Sequence, residues 1–181
     1  LVLVAPSDHL MPDPASFRLA AGAAAAHAAA GGIATFGIAP DRPETGYGYL
    51  ELAAAVEEGR HAAVPLARFV EKPDRGAAEE MLRSGRHLWN AGIFLLRADT
   101  LIAAAEALQP AMLAAVRASV AGAQADLGFL RLAAGPWAGA EATSIDYAIM
   151  GRAANLSVMP WRGAWSDLGS WEAVWQEGAT D

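Results

Sequence analysis

Three side chains suited to phosphate chemistry stand far apart in this sequence: Asp8, Lys72 and Asp167. Lys72 is the only lysine among 181 residues, beside twelve arginines. Where arginine serves for every other fixed positive charge, the remaining lysine is a candidate for a task that needs a compact ammonium. Two separated carboxylates offer hard oxygen ligands to magnesium, and an ammonium meets phosphate as a point charge. Together they suit a magnesium-bound phosphate site. Each also has a plainer reading, because an aspartate after a strand is commonly a turn or cap residue and one lysine can be a leftover surface charge.

Competing chemistries are poorly served. Ser7, Asp8 and His9 are adjacent, and adjacent residues on an extended segment point apart, so they do not form a triad. There is no Gly-x-Ser-x-Gly elbow, and the histidines are too scattered for a His-x-x-x-His zinc site. Neither a Walker-type loop nor a Gly-x-Gly-x-x-Gly turn occurs, which argues against a complete ATPase or dehydrogenase. Cysteine is absent, which excludes disulfides and thiolate-bound metal and is compatible with a reducing compartment.

The elements that must position these residues alternate between strand and helix. Leu1 to Ala5 reads as a short, fully buried strand closed by Pro6, with Asp8 at its carboxyl end. Asp13-Pro14 is an N-cap and first-turn proline for a helix to about Ala30, stopped by Gly31-Gly32. Ile33 to Ile38 is a buried strand. In Thr45-Gly46-Tyr47-Gly48-Tyr49-Leu50 the glycines let backbone approach a ligand, although a plain turn into a strand fits equally. Phe69-Val70 closes a buried strand, since Pro73 forces Lys72 out of the helical region, and Glu71 and Lys72 follow at its end. Asp74 caps a helix to Ser84, stopped by Gly85. Trp89 to Leu96 is strand-like, and Asn90 at its start needs hydrogen-bond partners, a ligand hydroxyl among the options.

Further on, Asp99 caps a helical region broken at Pro110 and resumed to about Ala121. Gln124 to Ala140 supports only short helix and loop. Ile145 to Met150 is a short amphipathic helix, Leu156 to Trp161 a final strand, and Ser170 the cap of a terminal helix. Trp165, Trp171 and Trp175 read as core and lid packing. The pattern predicts an α/β fold: a doubly wound, mixed and mostly parallel sheet flanked by helices, in one domain over residues 1–181. Its carboxyl edge should collect Asp8, Gly46 to Gly48, Glu71, Lys72, Asn90 and Asp167, where ligands bind in such sheets.

Composition sets the outer bounds. Hydrophobic residues make up 54% and charged ones 18%, which is a globular balance. A net charge of -7 gives no general affinity for nucleic acid or anionic membrane. No apolar run reaches membrane-spanning length, and no positively charged leader precedes an apolar core.

Six motifs carry a resemblance. Pro6-Ser7-Asp8-His9, Thr45-Gly46-Tyr47-Gly48-Tyr49, Phe69-Val70-Glu71-Lys72-Pro73, Trp89-Asn90-Ala91-Gly92-Ile93-Phe94, Ser144-Ile145-Asp146-Tyr147-Ala148 and Trp165-Ser166-Asp167-Leu168-Gly169-Ser170-Trp171 resemble, in order, motifs of the bacterial mannose-1-phosphate guanylyltransferases. These belong to the sugar nucleotidyltransferase superfamily, with its Rossmann-like nucleotide-diphospho-sugar transferase fold. The resemblance implies Mg-assisted attack of mannose 1-phosphate on GTP, giving GDP-mannose and pyrophosphate. It implies that Asp8 and Asp167 hold Mg2+, that Lys72 binds the sugar phosphate, that Glu71 accepts from sugar hydroxyls, and that Gly48 and Asn90 line the sugar pocket. It implies a cytoplasmic location, no nucleic-acid or membrane partner, and allows a homo-oligomer.

The sequence departs from the family pattern as well. The family's Gly-rich nucleotide loop and the strands around it are missing, so this reads as an N-terminally truncated piece that is not expected to turn over alone. Gly151 stands where the family usually carries an acid. Members often continue into a cupin-like isomerase domain. The alternatives are a hexose-1-phosphate nucleotidyltransferase with another base or sugar, and an inactive sugar-phosphate-binding module.

Overall fold

The computed structural model describes residues 1–56 and 62–178, in two compact units: Leu1–Arg97 with the segment from Asn155 onward, and Ala98–Ala154. The first unit runs β1 (Val2–Val4), α1 (Pro14–Ala29), β2 (Ile33–Ile38), β3 (Tyr49–Leu52), β4 (Val64–Val70), α2 (Arg75–Ser84) and β5 (His87–Leu96). The second holds α3 (Ala98–Leu108), α4 (Pro110–Ala121), β6 (Gln124–Asp126), β7 (Phe129–Arg131), α5 (Ala134–Ala138) and a π-helical turn over Asp146–Met150. The chain then returns to the first unit with β8 (Leu156–Trp161) and α6 (Trp171–Glu177).

Local signals set the helix ends. Asp13 Oδ1 accepts from the N–H groups of Ala15 and Ser16 at 3.1 and 3.0 Å, and Pro14 occupies the first turn of α1, where its missing N–H costs nothing. Asp74 Oδ1 accepts from Ala77 N–H at 2.8 Å at the start of α2, and Gly85 ends it at φ 64. Both caps stabilise their helices by satisfying N–H groups that have no partner within the helix. One face of α1, Ala20, Ala24 and Ala28, is buried in the core with Phe36, Trp89, Ile93 and Met159 of the sheet. Side chains this small let the helix lie close to the strands.

The sheet is mixed, as expected, with the order β1-β5-β2-β8-β4-β3 and a further pairing of β3 with β5. That last pairing closes β5, β2, β8, β4 and β3 into a ring. The β2–β8 ladder is parallel and the others are antiparallel. The parallel share is smaller than the alternation of strands and helices suggested, because β4 and β5 run against the remaining strands.

Strand β5 organises the unit. One edge pairs with β2; the other is divided between β1, opposite Phe94 to Leu96, and β3, opposite His87 to Trp89. Between the β2 pairs Gly37↔Asn90 and Thr35↔Phe94 the register shifts, so Ala91, Gly92 and Ile93 bulge opposite the single residue Phe36. Gly92 takes φ 65 there, a conformation that favours glycine.

Several expectations are corrected. Leu1 to Val4 are 63%, 41%, 45% and 37% exposed, so β1 is not fully buried: it has one strand neighbour, β5, and an apolar run alone does not reveal how many neighbours a strand has. Strand β4 is half exposed, not buried, since each part of it has one strand neighbour: Val64 and Pro65 pair with β8, and Leu66 to Val70 pair with β3. Trp171 and Trp175 are 89% and 74% exposed, not core; only Trp165 packs, edge-on against His9 and Tyr47. The segment read as helix and loop contains the β6–β7 hairpin. Its turn residues Leu127 and Gly128 have φ 48 and 87, and leucine hides the usual Asn-Gly or Asp-Gly signal. The helix after Ser144 is π-wound, with Gly151 N–H bonded to Asp146 O at 2.8 Å.

Candidate active site

The predicted residues meet, but not along one carboxyl edge. Asp8 and Asp167 follow the carboxyl ends of β1 and β8, Glu71 and Lys72 follow β4, which runs the other way, Gly46 to Gly48 lead into β3, and Asn90 lies inside β5. They gather where β1 and β3 part company along the edge of β5. There Gly48 O accepts from Asn90 N–H at 2.8 Å, Tyr47 O accepts from Lys72 N–H at 3.2 Å, and Gly92 lies against the Pro6 ring.

Gly48, Glu71 and Asn90 form one cluster. A Cβ on Gly48 would lie 2.5 Å from Glu71 Oε2, 3.2 Å from Phe69 Cζ and 3.4 Å from Asn90 Cβ, so glycine is needed for the carboxylate to sit there. Glu71 keeps only 14% of its side chain exposed, whereas Lys72 keeps 60%, with Nζ 3.8 Å from Glu71 Oε1. At that exposure the pair adds little to stability. Lys72 has φ 46, an unusual conformation for a residue with a side chain.

The two aspartates share the surroundings of His9. The segment from Pro6 to Leu10 is laced to the β8 loop through Leu10 N–H to Ser166 O at 2.8 Å and Ser166 N–H to Leu10 O at 3.1 Å. Trp165 Nε1 donates to His9 Nδ1 at 3.2 Å. Burial lowers the His9 pKa, while the carboxylates of both Asp8 and Asp167 pull it upward; both aspartates therefore lie within electrostatic reach of one imidazole. Asp8 is exposed, and Asp167 is half-buried beneath Tyr47.

A cavity of about 480 Å3 opens beside Asp167, lined by Arg42, Glu44, Thr45, Tyr47 and Arg75, and a second of about 320 Å3 adjoins it at Tyr47, Trp89 and Trp165. Arg42 lies over the Trp89 ring, 4.9 Å from its centroid. A larger cavity, about 790 Å3, is lined by Leu52 to Val56, Arg86 and Trp161. None of the predicted residues lines it, so chemistry and not volume selects the site.

Three contributors were not singled out from the sequence. Tyr47 stood in a motif without a role, although a tyrosine between two glycines is a signal for a ring that must reach something. His9 and Thr35 carried weaker hints. Thr35 is the one hydroxyl in the run Ile-Ala-Thr-Phe-Gly-Ile, and a buried hydroxyl must find a partner; its Oγ1 donates to Asn90 Oδ1 at 2.8 Å.

Two aspartates near one histidine, and a lysine beside a largely buried glutamate, on an α/β unit with a mixed sheet, are groups able to bind a cation and a phosphate. Residues 1–181 match the Nucleotidyl transferase family, and the chain belongs to that family. It is 43% identical over 176 residues to a mannose-1-phosphate guanylyltransferase of Sinorhizobium fredii, covering 97% of this chain and 34% of that protein. It is 41% identical over 174 residues to the xanthan biosynthesis protein XanB of Xanthomonas campestris, covering 96% of this chain and 36% of that protein. The chain thus spans about a third of the length of these relatives. A crystal structure described as mannose-1-phosphate geranyltransferase from Thermus thermophilus superposes with TM-score 0.81 at 33% identity, over 99% of this chain and 50% of that one. Among the described residues no helix is long and apolar enough to cross a membrane.

Proposed function

We propose that the protein containing this chain is a mannose-1-phosphate guanylyltransferase. A phosphate oxygen of mannose 1-phosphate attacks the α-phosphorus of GTP; a new P–O bond forms, the bond from the α-phosphorus to the bridging oxygen of the β-phosphate breaks, and pyrophosphate leaves. The observation that carries this reading is the convergence of Gly48, Glu71 and Asn90 beside Lys72 on the edge of β5. An alcohol both donates and accepts, and a glutamate facing an asparagine offers the matching acceptor and donor. The exposed ammonium of Lys72, one residue away, is suited to the phosphate at C1.

Asp8 and Asp167 are the residues that would hold Mg2+. They fit it: both supply hard oxygen, and magnesium commonly takes one or two carboxylates with substrate phosphates and water completing its shell. When bound, the metal offsets repulsion between the two phosphate groups and orients in-line attack. No protein nucleophile is required. A cytoplasmic location accompanies the proposal, in line with the absence of cysteine.

Two measurements on the full-length protein test the reading. Turnover of GTP with mannose 1-phosphate should exceed that of UTP, dTTP and ATP; preference for another nucleotide or another sugar phosphate would move the assignment within the superfamily. Asp167→Asn should lower kcat far more than it raises KM, because the metal matters most as charge moves in the transition state. Calorimetric binding of mannose 1-phosphate without any turnover would instead mark an inactive binding module.

A further inference from the structure

Thr35 lies on β2, fully buried and without access to any ligand. Its hydroxyl donates towards Asn90 Oδ1 at 2.8 Å, with Ile93 O as a more distant acceptor at 3.3 Å. Gly92 N–H, inside the bulge of β5, meets the same Asn90 atom at 3.3 Å. A backbone N–H only donates, so the atom it shares with Thr35 must be the amide oxygen. That settles the orientation of an asparagine whose two ends are otherwise alike in shape. The amide is planar, so with its oxygen held by Thr35 and the bulge, its NH2 edge is turned away from Thr35. On the opposite side of β5 from β2 lie Gly48 and Glu71, and one point near Gly48 is 2.5 Å from Glu71 Oε2 and 3.4 Å from Asn90 Cβ.

We propose that Thr35 is a positioning residue that sets the specificity of the sugar site, holding the Asn90 amide so that its NH2 edge donates to a substrate hydroxyl while Glu71 accepts from the sugar. This rests on the sugar-phosphate reading above. The NH2 edge carries two hydrogens and a bound hydroxyl needs only one, so the assignment does not depend on what else the amide touches. Selectivity follows from polarity: a sugar lacking the hydroxyl, or presenting only a donor at that place, leaves a polar group of the site unpaired, and such mismatches discriminate more strongly than apolar fit. The bulge is part of the device. Without the three residues opposite Phe36, the Gly92 N–H that shares the oxygen would be engaged in the ladder instead.

The test uses the full-length protein, with mannose 1-phosphate as the probe, followed by calorimetry and steady-state kinetics. Thr35→Val, which keeps the shape and removes the donor, should raise Kd and KM for mannose 1-phosphate about tenfold, with KM for GTP within twofold of wild type. Thr35→Ser should restore both. Thr35→Val combined with Asn90→Ala should be no worse than Asn90→Ala alone, because the two residues act as a unit. If Asn90→Ala weakens binding and Thr35→Val does not, the inference fails while the site assignment stands. If Asn90→Ala itself binds like wild type, the sugar-site reading fails. Asn90→Asp keeps the oxygen that Thr35 and Gly92 hold and replaces only the NH2 edge, so it tests the donor on which the role of Thr35 depends even if Thr35→Val does not fold. Loss of binding by at least tenfold is expected, and undiminished binding overturns the donor role.

Discussion

The Tyr47 hydroxyl donates to Asp167 Oδ1 at 2.8 Å, joining the loop before β3 to the loop after β8. The same oxygen accepts from Gly169 N–H at 3.0 Å, and among the described residues Oδ2 makes no hydrogen bond. One oxygen thus holds the orientation of the carboxylate, and under the proposed function the other is the one that would meet the cation. Burial, the hydrogen bond to Asp167 and the charge of that carboxylate push the Tyr47 phenol far above its usual range, so it keeps its proton and is a donor at neutral pH. A hydrogen bond to a charged group is worth about 1.5–3 kcal/mol. In the full-length protein Tyr47→Phe should shift the magnesium dependence of the initial rate about tenfold upward and lower kcat. An unchanged magnesium midpoint in the rate titration would remove Tyr47 from the site.

Gly48→Ala tests the cluster from its most crowded point. The added Cβ meets Glu71 Oε2 at 2.5 Å and Phe69 Cζ at 3.2 Å, and the flexible end of the glutamate is the part that gives way. Folding should lose no more than about 1 kcal/mol, whereas KM for mannose 1-phosphate should rise at least about tenfold, roughly 1.4 kcal/mol. Thermal melting and KM, measured together, check the split; a large loss of melting temperature with normal KM would show a packing role alone.

His87 gives the fold a pH dependence of predictable sign. It is buried at the start of β5, with Nδ1 2.7 Å from Ser84 Oγ and Nε2 4.0 Å from Glu51 Oε2. Burial lowers its pKa below 6.5 against the upward pull of Glu51, so the folded chain prefers the neutral ring. The unfolded chain therefore takes up the proton first as pH falls. The stability His87 contributes is complete above about 6.5 and is lost below it. His9 shares this direction. Denaturant unfolding between pH 7.5 and 5 should show stability falling by at most about 1.4 kcal/mol per pH unit for each histidine, and His87→Gln should flatten that slope. Equal slopes would assign it elsewhere.

Much of this was legible in the sequence because its signals are local. Asp13-Pro14, Asp74 and Gly85 announce the helix ends, and Asp8, Lys72 and Asp167 stand out by type and by their place after strands. What was hidden depends on partners distant in sequence. That β1 has a single strand neighbour, that β4 turns half outward, and that Trp171 and Trp175 stand in solvent are facts about which surfaces meet, and an apolar run looks the same in either case. The gathering of the site along β5 was hidden for the same reason: it depends on β4 and β5 running against their neighbours, which alternation of strands and helices does not encode. Thr35 and Tyr47 become meaningful only once the β5 bulge and the Leu10–Ser166 bridge bring Asn90 and Asp167 to them.

The left-handed backbone of Lys72 sets durability against turnover at a single position. Strain of about 1–2 kcal/mol accompanies a side chain in that region, and glycine relieves it at a cost in chain entropy of about 0.5–1 kcal/mol. Lys72→Gly should therefore melt no lower than wild type, and up to a few degrees higher, while losing the sugar phosphate. Lys72→Arg keeps both the charge and the strained backbone, yet should reduce kcat/KM for mannose 1-phosphate at least about tenfold, because a planar guanidinium does not fill an ammonium's place. Calorimetric melting alongside kinetics of the two variants checks this, and wild-type kinetics in the arginine variant would return Lys72 to the surface charges. A population selected for heat resistance alone would accordingly drift towards glycine at residue 72, gaining robustness as it fell silent.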